Sequence, residues 1–366
     1  MNYYDWSLSK GLENAGVSVS WFTCDATSEL SERNILVYKN FKNIYGSSPK
    51  ALRIYRFISG LLASLYQARK QKVFAVHYHF FGIGLMEALM VSLAKLLRHK
   101  ICITLHDIES FSYKGRPAYS AFCLKKISKI IVHNKFMHDE LLRFASKLRI
   151  AIPDIHVVQH GNYLGSAISL CKTDAKVKLG LEPNQPVILF FGQIKAVKGL
   201  DILIKAFKDV INIIPNAKLV IAGKVWKDDF SKYENLIRDY GIIGNVYLNI
   251  NYVPDAEAHT YYSAADVVVL PYRKIYQSGV LLMSMSYGAP PIASDLAPMA
   301  EIITDGQNGF TFKSESPDSL AETIVRSLSD PNALKYISAN AKSFVAENFD
   351  WNVIGEKTRK VYQEMT

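Results

Sequence analysis

The sequence predicts an α/β protein of two doubly wound domains, each a parallel sheet wrapped by crossover helices. Three observations carry this. The chain has 366 residues, long for one domain and comfortable for two. Short β-branched runs alternate with longer helical stretches, the pattern of parallel strands joined by helices. The pattern loosens between Gly161 and Pro186 and then starts afresh. That places an N-terminal domain at 1–165 and a second at 166–350, with a closing helix in 351–366 expected to pack back toward the first.

Taken in order, Ser7–Ala15 reads as a helix closed by Gly16, and Val17–Thr23 as a strand. Leu52–Lys70 is helical, Val73–His79 a strand, Leu85–Leu97 a helix and Lys100–Leu105 a strand. Phe122–Ser128 is helical, Ile130–His133 a strand, Lys135–Phe144 a helix, and Ile155–Gln159 the last strand of this half. The second half runs strand Pro186–Phe191, helix Leu200–Ile214, strand Lys218–Ala222, helix Ser231–Tyr240 and strand Val246–Leu248. Helix Asp255–Ala264, strand Val267–Leu270, helix Gly279–Tyr287 and strand Pro291–Ala293 follow. Helices Ser319–Leu328, Pro331–Glu347 and Ile354–Met365 end the chain. A doubly wound domain opens with a strand and a glycine-rich turn. Here the sequence starts almost inside the first helix, so that strand is either absent or lies ahead of the given sequence.

Composition narrows the class. Hydrophobic residues make up 49%, enough for each half to bury a core. No run reaches the ~18 apolar residues of a membrane-spanning helix; the closest, Gly82–Leu97, is broken by Glu87 and Lys95. The opening Met1-Asn2-Tyr3-Tyr4-Asp5 lacks a basic and apolar leader. Four scattered cysteines show no metal spacing, and three of them sit in apolar surroundings and read as buried. These features predict a soluble, cytoplasmic protein without a cofactor. The net charge of +10 is uneven: residues 1–160 carry 22 basic against 11 acidic residues, the remainder 21 against 22. A basic first half implies an anionic partner. No nucleic-acid-binding signature accompanies it.

Two loops carry the chemistry. Phe191-Gly192-Gln193-Ile194-Lys195-Ala196-Val197-Lys198-Gly199 follows a buried strand and opens a helix. Glycines at both ends let backbone approach a ligand, the helix N-terminus offers free amides, and Lys195 and Lys198 add charge. That set suits a diphosphate, although a solvated lysine pair on an ordinary loop has the same sequence. The second loop, Leu270-Pro271-Tyr272-Arg273 through Tyr276-Gln277-Ser278-Gly279-Val280, also joins a strand to a helix. Arg273 can fork onto phosphate oxygens, and the Gly279 and Val280 amides point at an anion; Ser278 doubles as an N-cap.

These residues resemble a family. The stretch from Val187 to Tyr362 is similar to the retaining, nucleotide-sugar-dependent glycosyltransferases of family 4, which have the GT-B fold. The motifs are the lysine–glycine loop, Ser263-Ala264-Ala265-Asp266, Pro271-Tyr272, Gln277-Ser278-Gly279-Val280, Tyr287-Gly288-Ala289-Pro290 and Ala293-Ser294-Asp295. Glu301-Ile302-Ile303 and Asp305-Gly306-Gln307-Asn308-Gly309 continue the series. The first half resembles the acceptor domain through Leu105-His106-Asp107 and His160-Gly161-Asn162.

The resemblance implies two Rossmann-like domains facing each other across a cleft. It implies that Gly192, Lys195, Lys198, Gly199, Arg273 and the turn Ser278, Gly279, Val280 and Leu281 hold the donor diphosphate. Gly223, Tyr252, Val253 and Met283 fall where the nucleoside binds. His106 matches a histidine near the sugar, and Asp107 is either the base for the acceptor hydroxyl or the group that orients His106. Many members carry two glutamates in the second loop and helix, where this chain has Ile275 and Met283. Neither offers a carboxylate, which leaves the ribose contact and the retaining stereochemistry open. Four other histidines (His77, His79, His133, His138) match no metal spacing and are assigned core or surface roles. No Asp-x-Asp occurs, so positive side chains and helix dipoles, not a metal, are expected to neutralise the leaving nucleotide.

The implied activity is metal-independent transfer of a sugar from a UDP- or GDP-sugar to a glycan or lipid-diphosphate-linked acceptor, as in bacterial surface polysaccharide assembly. The segment from Arg53 to Tyr66 mixes basic and apolar residues and is expected to touch an anionic membrane. A nucleotide-sugar 2-epimerase on the same scaffold and a non-catalytic sugar-nucleotide- or glycan-binding subunit stay open as alternatives.

Overall fold

The computed structural model describes residues 2–27, 32, 34–108, 117–168 and 170–365. It divides into two compact units, Met1–Gly161 with Asp350–Thr366, and Asn162–Phe349. The first unit thus ends at Gly161 rather than at 165.

The first unit opens with α1 (Asn2–Asn14), then β1 (Val19–Cys24), β2 (Ile35–Phe41), α2 (Lys50–Lys70), β3 (Ala75–Phe80) and α3 (Leu85–Leu96). β4 (Lys100–Leu105), α4 (Pro117–Leu124), β5 (Lys129–Val132), α5 (Lys135–Lys147) and β6 (Ile155–Val157) follow. Strand β2 is not predicted by the periodicity, because Lys39 and Asn40 interrupt its apolar run. It pairs in parallel with β1 in a sheet of their own. The other sheet runs β3-β4-β5-β6, all parallel. No described strand joins β1 to β3, so the single sheet expected of this unit is interrupted there. Cys102 and Cys123 are buried in this unit, whereas Cys24 is half-buried and Cys171 of the second unit is exposed. Two cysteines are therefore fully buried, not three.

The second unit contains α6 (Lys172–Lys178), β7 (Val187–Phe191), α7 (Leu200–Ile213), β8 (Lys218–Ala222), α8 (Ser231–Asp239), β9 (Val246–Asn249) and α9 (Asp255–Ala264). β10 (Val267–Leu270), α10 (Gly279–Tyr287), β11 (Pro291–Ser294), α11 (Ala297–Ala300), β12 (Phe310–Phe312), α12 (Pro317–Ser329) and α13 (Pro331–Asn348) complete it. Its six strands lie in the order β12-β11-β10-β7-β8-β9. Alternate residues of β7 feed opposite cores: Val187 and Leu189 join one apolar cluster, Ile188 and Phe190 the other. A parallel sheet covered on both faces needs this continuous apolar run. Each such side chain contributes about 1.5–3 kcal/mol on full burial. The strand order reverses between β7 and β10, the position at which open α/β sheets leave a crevice at the strand carboxyl ends.

The chain then returns to the first unit as α14 (Trp351–Gln363), capped by Asp350, whose Oδ1 accepts from the Asn352 amide at 2.8 Å. Helices α14 and α1 cross at paired glycines. A Cβ on Gly11 would stand 2.0 Å from the Trp351 carbonyl oxygen, and one on Gly355 2.1 Å from the Gly11 backbone. Tyr4, Leu8 and Leu12 of α1 share a core with Ile354 and Val361 of α14 and with Cys102 and Ile131 of the sheet.

Candidate functional site

Both predicted loops of the second unit leave the carboxyl ends of β7 and β10, on either side of the strand reversal. Glycine geometry joins them. Gly199 has φ +67°, and a Cβ there would lie 1.9 Å from the Pro271 carbonyl oxygen. Gly223, at the end of β8, has φ +147°, and its Cβ would lie 1.9 Å from the Gly192 oxygen. Gly192 itself, at φ +104°, faces Val280, with 3.5 Å between its Cβ position and that side chain. At Gly199 and Gly223 only a residue without a Cβ allows the backbones so close.

Lys198 ends the first loop. Its Nζ stands 3.7 Å from the centre of the Tyr272 ring. Burial pushes its pKa down to about 7, and no carboxylate is recorded against it among the described residues. An ammonium in low dielectric without a counter-ion is costly, and a bound anion would relieve that cost. The amides of Gly279 and Val280 at the start of α10 make no recorded hydrogen bond among the described residues. Gln277 Oε1 is buried beside them without a hydrogen-bond partner. A cation, two amides and a helix dipole end suit a diphosphate.

Three expected contacts are arranged differently. Arg273 is engaged by protein groups: its guanidinium forks onto Asp201 with two bonds of 2.8 Å and donates to the Ala196 carbonyl at 2.9 Å. Burial works against the Asp201 carboxylate, yet the Arg273 hydrogen bonds hold its pKa below the usual range. Arg273 therefore ties the second loop to α7. Ser278 accepts from the Leu281 amide at 3.2 Å, so the cap occupies one of the four turn residues assigned to the phosphate. Ile275 and Met283 pack against the buried apolar cluster of this unit, while Val253 is buried and Tyr252 is 68% exposed. Lys195 is half-buried in the first loop.

In the first unit, His106 is buried and both its ring nitrogens are engaged. Nε2 meets His79 Nδ1 at 3.2 Å, and Nδ1 meets His133 Nε2 at 3.0 Å. Phe81 stacks on its ring at 4.7 Å between centres. Asp107 lines a small pocket with Ile83, Leu124 and Phe144. Sequence reasoning missed the wider arrangement. His79, His106, His133 and His160 each stand at or just beyond the end of one of the four adjacent strands β3–β6. Tyr4 of α1 covers all four, with ring centres 4.8–5.7 Å apart. The signal was present: successive members are separated by a constant 27 residues, as the first pairs show. That is one strand–helix repeat. The rings bond one another and backbone carbonyls, and no metal-binding cluster occurs among the described residues.

The family models agree with this geometry. Residues 172–344 match the model of glycosyl transferases group 1, and residues 2–162 that of glycosyltransferase family 4. The chain belongs to the GT4-like glycosyltransferases. An uncharacterised glycosyltransferase of Methanocaldococcus jannaschii is 33% identical over 194 residues, which is 52% of this chain and 48% of that protein. The chain thus spans about half the length of that relative in the match. Among solved structures, sucrose-phosphate synthase from Thermosynechococcus elongatus superposes with a TM-score of 0.76 at 19% identity, covering 99% of this chain and 92% of that one. Anabaena HepE in complex with UDP gives 0.70 at 17% identity, over 90% and 86% of the two chains. These likenesses establish the GT-B fold of this GT4-like chain.

Proposed function

We propose that this glycosyltransferase takes its sugar from a UDP-sugar donor, whose diphosphate lies between Lys198 and the amides of Gly279 and Val280. The observation that carries the reading is Lys198: a desolvated ammonium with no carboxylate partner among the described residues, set beside a helix start with two open amides. The uridine assignment is supported by the UDP bound to HepE. Catalysis then consists mainly of stabilising the charge that develops on the departing diphosphate. Lys198 and the α10 dipole supply it, and the transfer needs no metal in this reading. The reading is silent on stereochemistry, because Ile275 and Met283, which pack against the apolar cluster of the second unit, stand where many members of the family carry glutamates. The test is nucleotide release from UDP-, GDP- and ADP-sugars. Release from the UDP-sugars alone, lost in Lys198→Ala, supports the reading; equal release from all three, or none, overturns it.

The acceptor in this reading is lipid-linked and met at an anionic membrane face. No helix among the described residues is long and apolar enough to cross a membrane. Helix α2 instead exposes Leu52, Tyr55, Leu62 and Tyr66 at helical spacing, with Lys50, Arg69 and Lys70 at its ends. Apolar side chains in the interface and basic ones at about 1 kcal/mol each suit peripheral binding. Flotation with phosphatidylglycerol vesicles checks it: the wild-type protein floats and Leu62→Glu/Tyr66→Glu does not. Failure of the wild type to float removes the membrane from the proposal.

A further inference from the structure

Tyr163, at the beginning of the second unit, joins the far end of α10 to its start. The preceding residue anchors the chain: the Asn162 amide donates to the Phe349 carbonyl at 2.8 Å, and its side-chain nitrogen to the Val345 carbonyl at 2.9 Å. The Tyr163 amide donates to Ser286 Oγ at 2.9 Å, and the buried Ser286 donates in turn to the Leu282 carbonyl at 2.7 Å. The Tyr163 carbonyl accepts from the amides of Ser166 and Ala167 at 3.0 and 2.9 Å. Both backbone groups of Tyr163 are therefore fixed, one of them on the last turn of α10.

From there the half-buried side chain packs on the apolar cluster with Val280 and Met283 of α10 and ends at Gly279, about 10 Å up the helix axis from Ser286. A Cβ on Gly279 would stand 2.9 Å from Tyr163 Oη and 3.8 Å from its Cζ. The phenol thus occupies the space that a side chain at the helix start would take. Gly279 does not have a left-handed backbone, and a glycine in a helix is less stable than an alanine, so the missing Cβ serves this approach. Neighbouring tyrosines are placed otherwise. Tyr262 and Tyr272 are 1% exposed inside the cluster, and Tyr287 stacks on Tyr262 at 5.0 Å and donates to the Ser166 carbonyl at 3.5 Å.

We propose that Tyr163 is a further donor-binding residue, whose hydroxyl donates a hydrogen bond to the phosphate held at the start of α10 beside the amides of Gly279 and Val280. The proposal rests on the donor-site reading above. An ionised phosphate oxygen can only accept, so the phenol supplies the hydrogen of the bond. Hydrogen bonds to ionised acceptors are shorter and stronger than neutral ones. Lys198 brings positive charge from the first loop, and Tyr163 adds a neutral donor at the second. Because its backbone is fixed at both groups, the side chain loses little freedom on binding. When the bond between sugar and diphosphate breaks, its electron pair stays on the diphosphate, and a donor already in place strengthens its hold as that charge grows. The hydroxyl keeps its proton throughout.

Titration calorimetry of the full chain with UDP tests the assignment. Tyr163→Phe keeps the ring and its backbone bonds and removes only the hydroxyl oxygen. Its thermal midpoint without ligand should match the wild type. Its dissociation constant for UDP should rise about tenfold, the loss of one hydrogen bond to a charged group. In phosphorus NMR of bound UDP, one of the two signals should move in Tyr163→Phe and the other stay; a packing role would move both or neither. Gly279→Ala is the second variant and serves alone if Tyr163→Phe does not fold. Its methyl drives the phenol off the helix start, so it should lose about as much affinity as Tyr163→Phe, and the double variant no more. Unchanged UDP affinity in either variant overturns the proposal and leaves the donor site standing without Tyr163. Losses that multiply in the double variant also overturn it, because the methyl would then act on the phosphate and not through the phenol. Wild-type protein that binds no UDP removes the donor-site reading, and this assignment with it.

Discussion

The Lys198 ammonium rests 3.7 Å from the centre of the Tyr272 ring, on the first of two loops that flank the strand reversal of the second unit. Its pKa in the folded protein is about 7, against an ordinary lysine value of 10.5, and the cause is burial. Between these values the unfolded chain binds the extra proton. This group therefore adds stability as pH rises through 7 toward 10.5, and costs stability below 7. Nucleotide binding should reverse that, since an anion favours the charged form. We expect affinity for UDP to fall as pH rises above 7 in the wild type, with proton uptake on binding above that pH. Titration calorimetry at pH 6.5 and 8.5 in buffers of different ionisation heat reads both effects, and Lys198→Met should show neither.

Gly199 and Gly223 are expected to be irreplaceable. Gly199→Ala places a methyl 1.9 Å from the Pro271 oxygen at φ +67°. The left-handed conformation alone costs roughly 1–2 kcal/mol for a residue with a Cβ, and the clash adds to it. The loop must move away from Tyr272 to relieve it. Denaturant unfolding should show a loss above that range, and UDP affinity should fall more steeply than stability. Wild-type stability and affinity in Gly199→Ala would contradict the close approach.

Arg273 is predicted to act through the fold. Arg273→Ala and Asp201→Ala should each destabilise by a similar amount, and the double variant by little more than either. The pair is partly exposed, so the coupling should be modest, about 0.5–1 kcal/mol. UDP affinity should change less than in Lys198→Ala. An affinity loss as large as that of Lys198→Ala would return Arg273 to the phosphate.

Much of this was legible in the sequence. The second unit was readable because its strands are unbroken apolar runs and its helices carry strong caps, as at Ser278 and Asp330. Strand β2 was hidden by Lys39 and Asn40, tolerated because among the described residues it pairs with β1 alone. The engagement of Arg273 was not legible, since Asp201 lies on a different element and meets it only through tertiary packing. The histidine row was written in the chain as a fixed spacing. It stayed invisible while each ring was weighed alone, because only the strand order brings them into register.

The buried row makes the first unit acid-sensitive. Seven histidines of this unit, His99 and His156 among them, have folded pKa values below the ordinary 6.5, each chiefly through burial. Below pH 6.5 the unfolded state binds more protons, so stability falls as pH drops through 6.5 and continues to fall toward the folded values. Asp5, raised to about 6 against 3.8, opposes this between those values as a single group. The thermal midpoint should therefore drop between pH 7.5 and 5, and replacing His77 and His160 with Gln should flatten the drop. A midpoint independent of pH across that range would mean the rings are not buried and neutral.

The most direct test of the donor site is thermal unfolding of the wild type and Lys198→Ala against UDP-, GDP- and ADP-sugars. A ligand at 100 times its dissociation constant adds about 2.7 kcal/mol. The account predicts that UDP-sugars alone raise the midpoint and that Lys198→Ala abolishes the rise. No shift with any nucleotide sugar, or an undiminished shift in Lys198→Ala, would contradict it and favour a non-catalytic role or a different binding site.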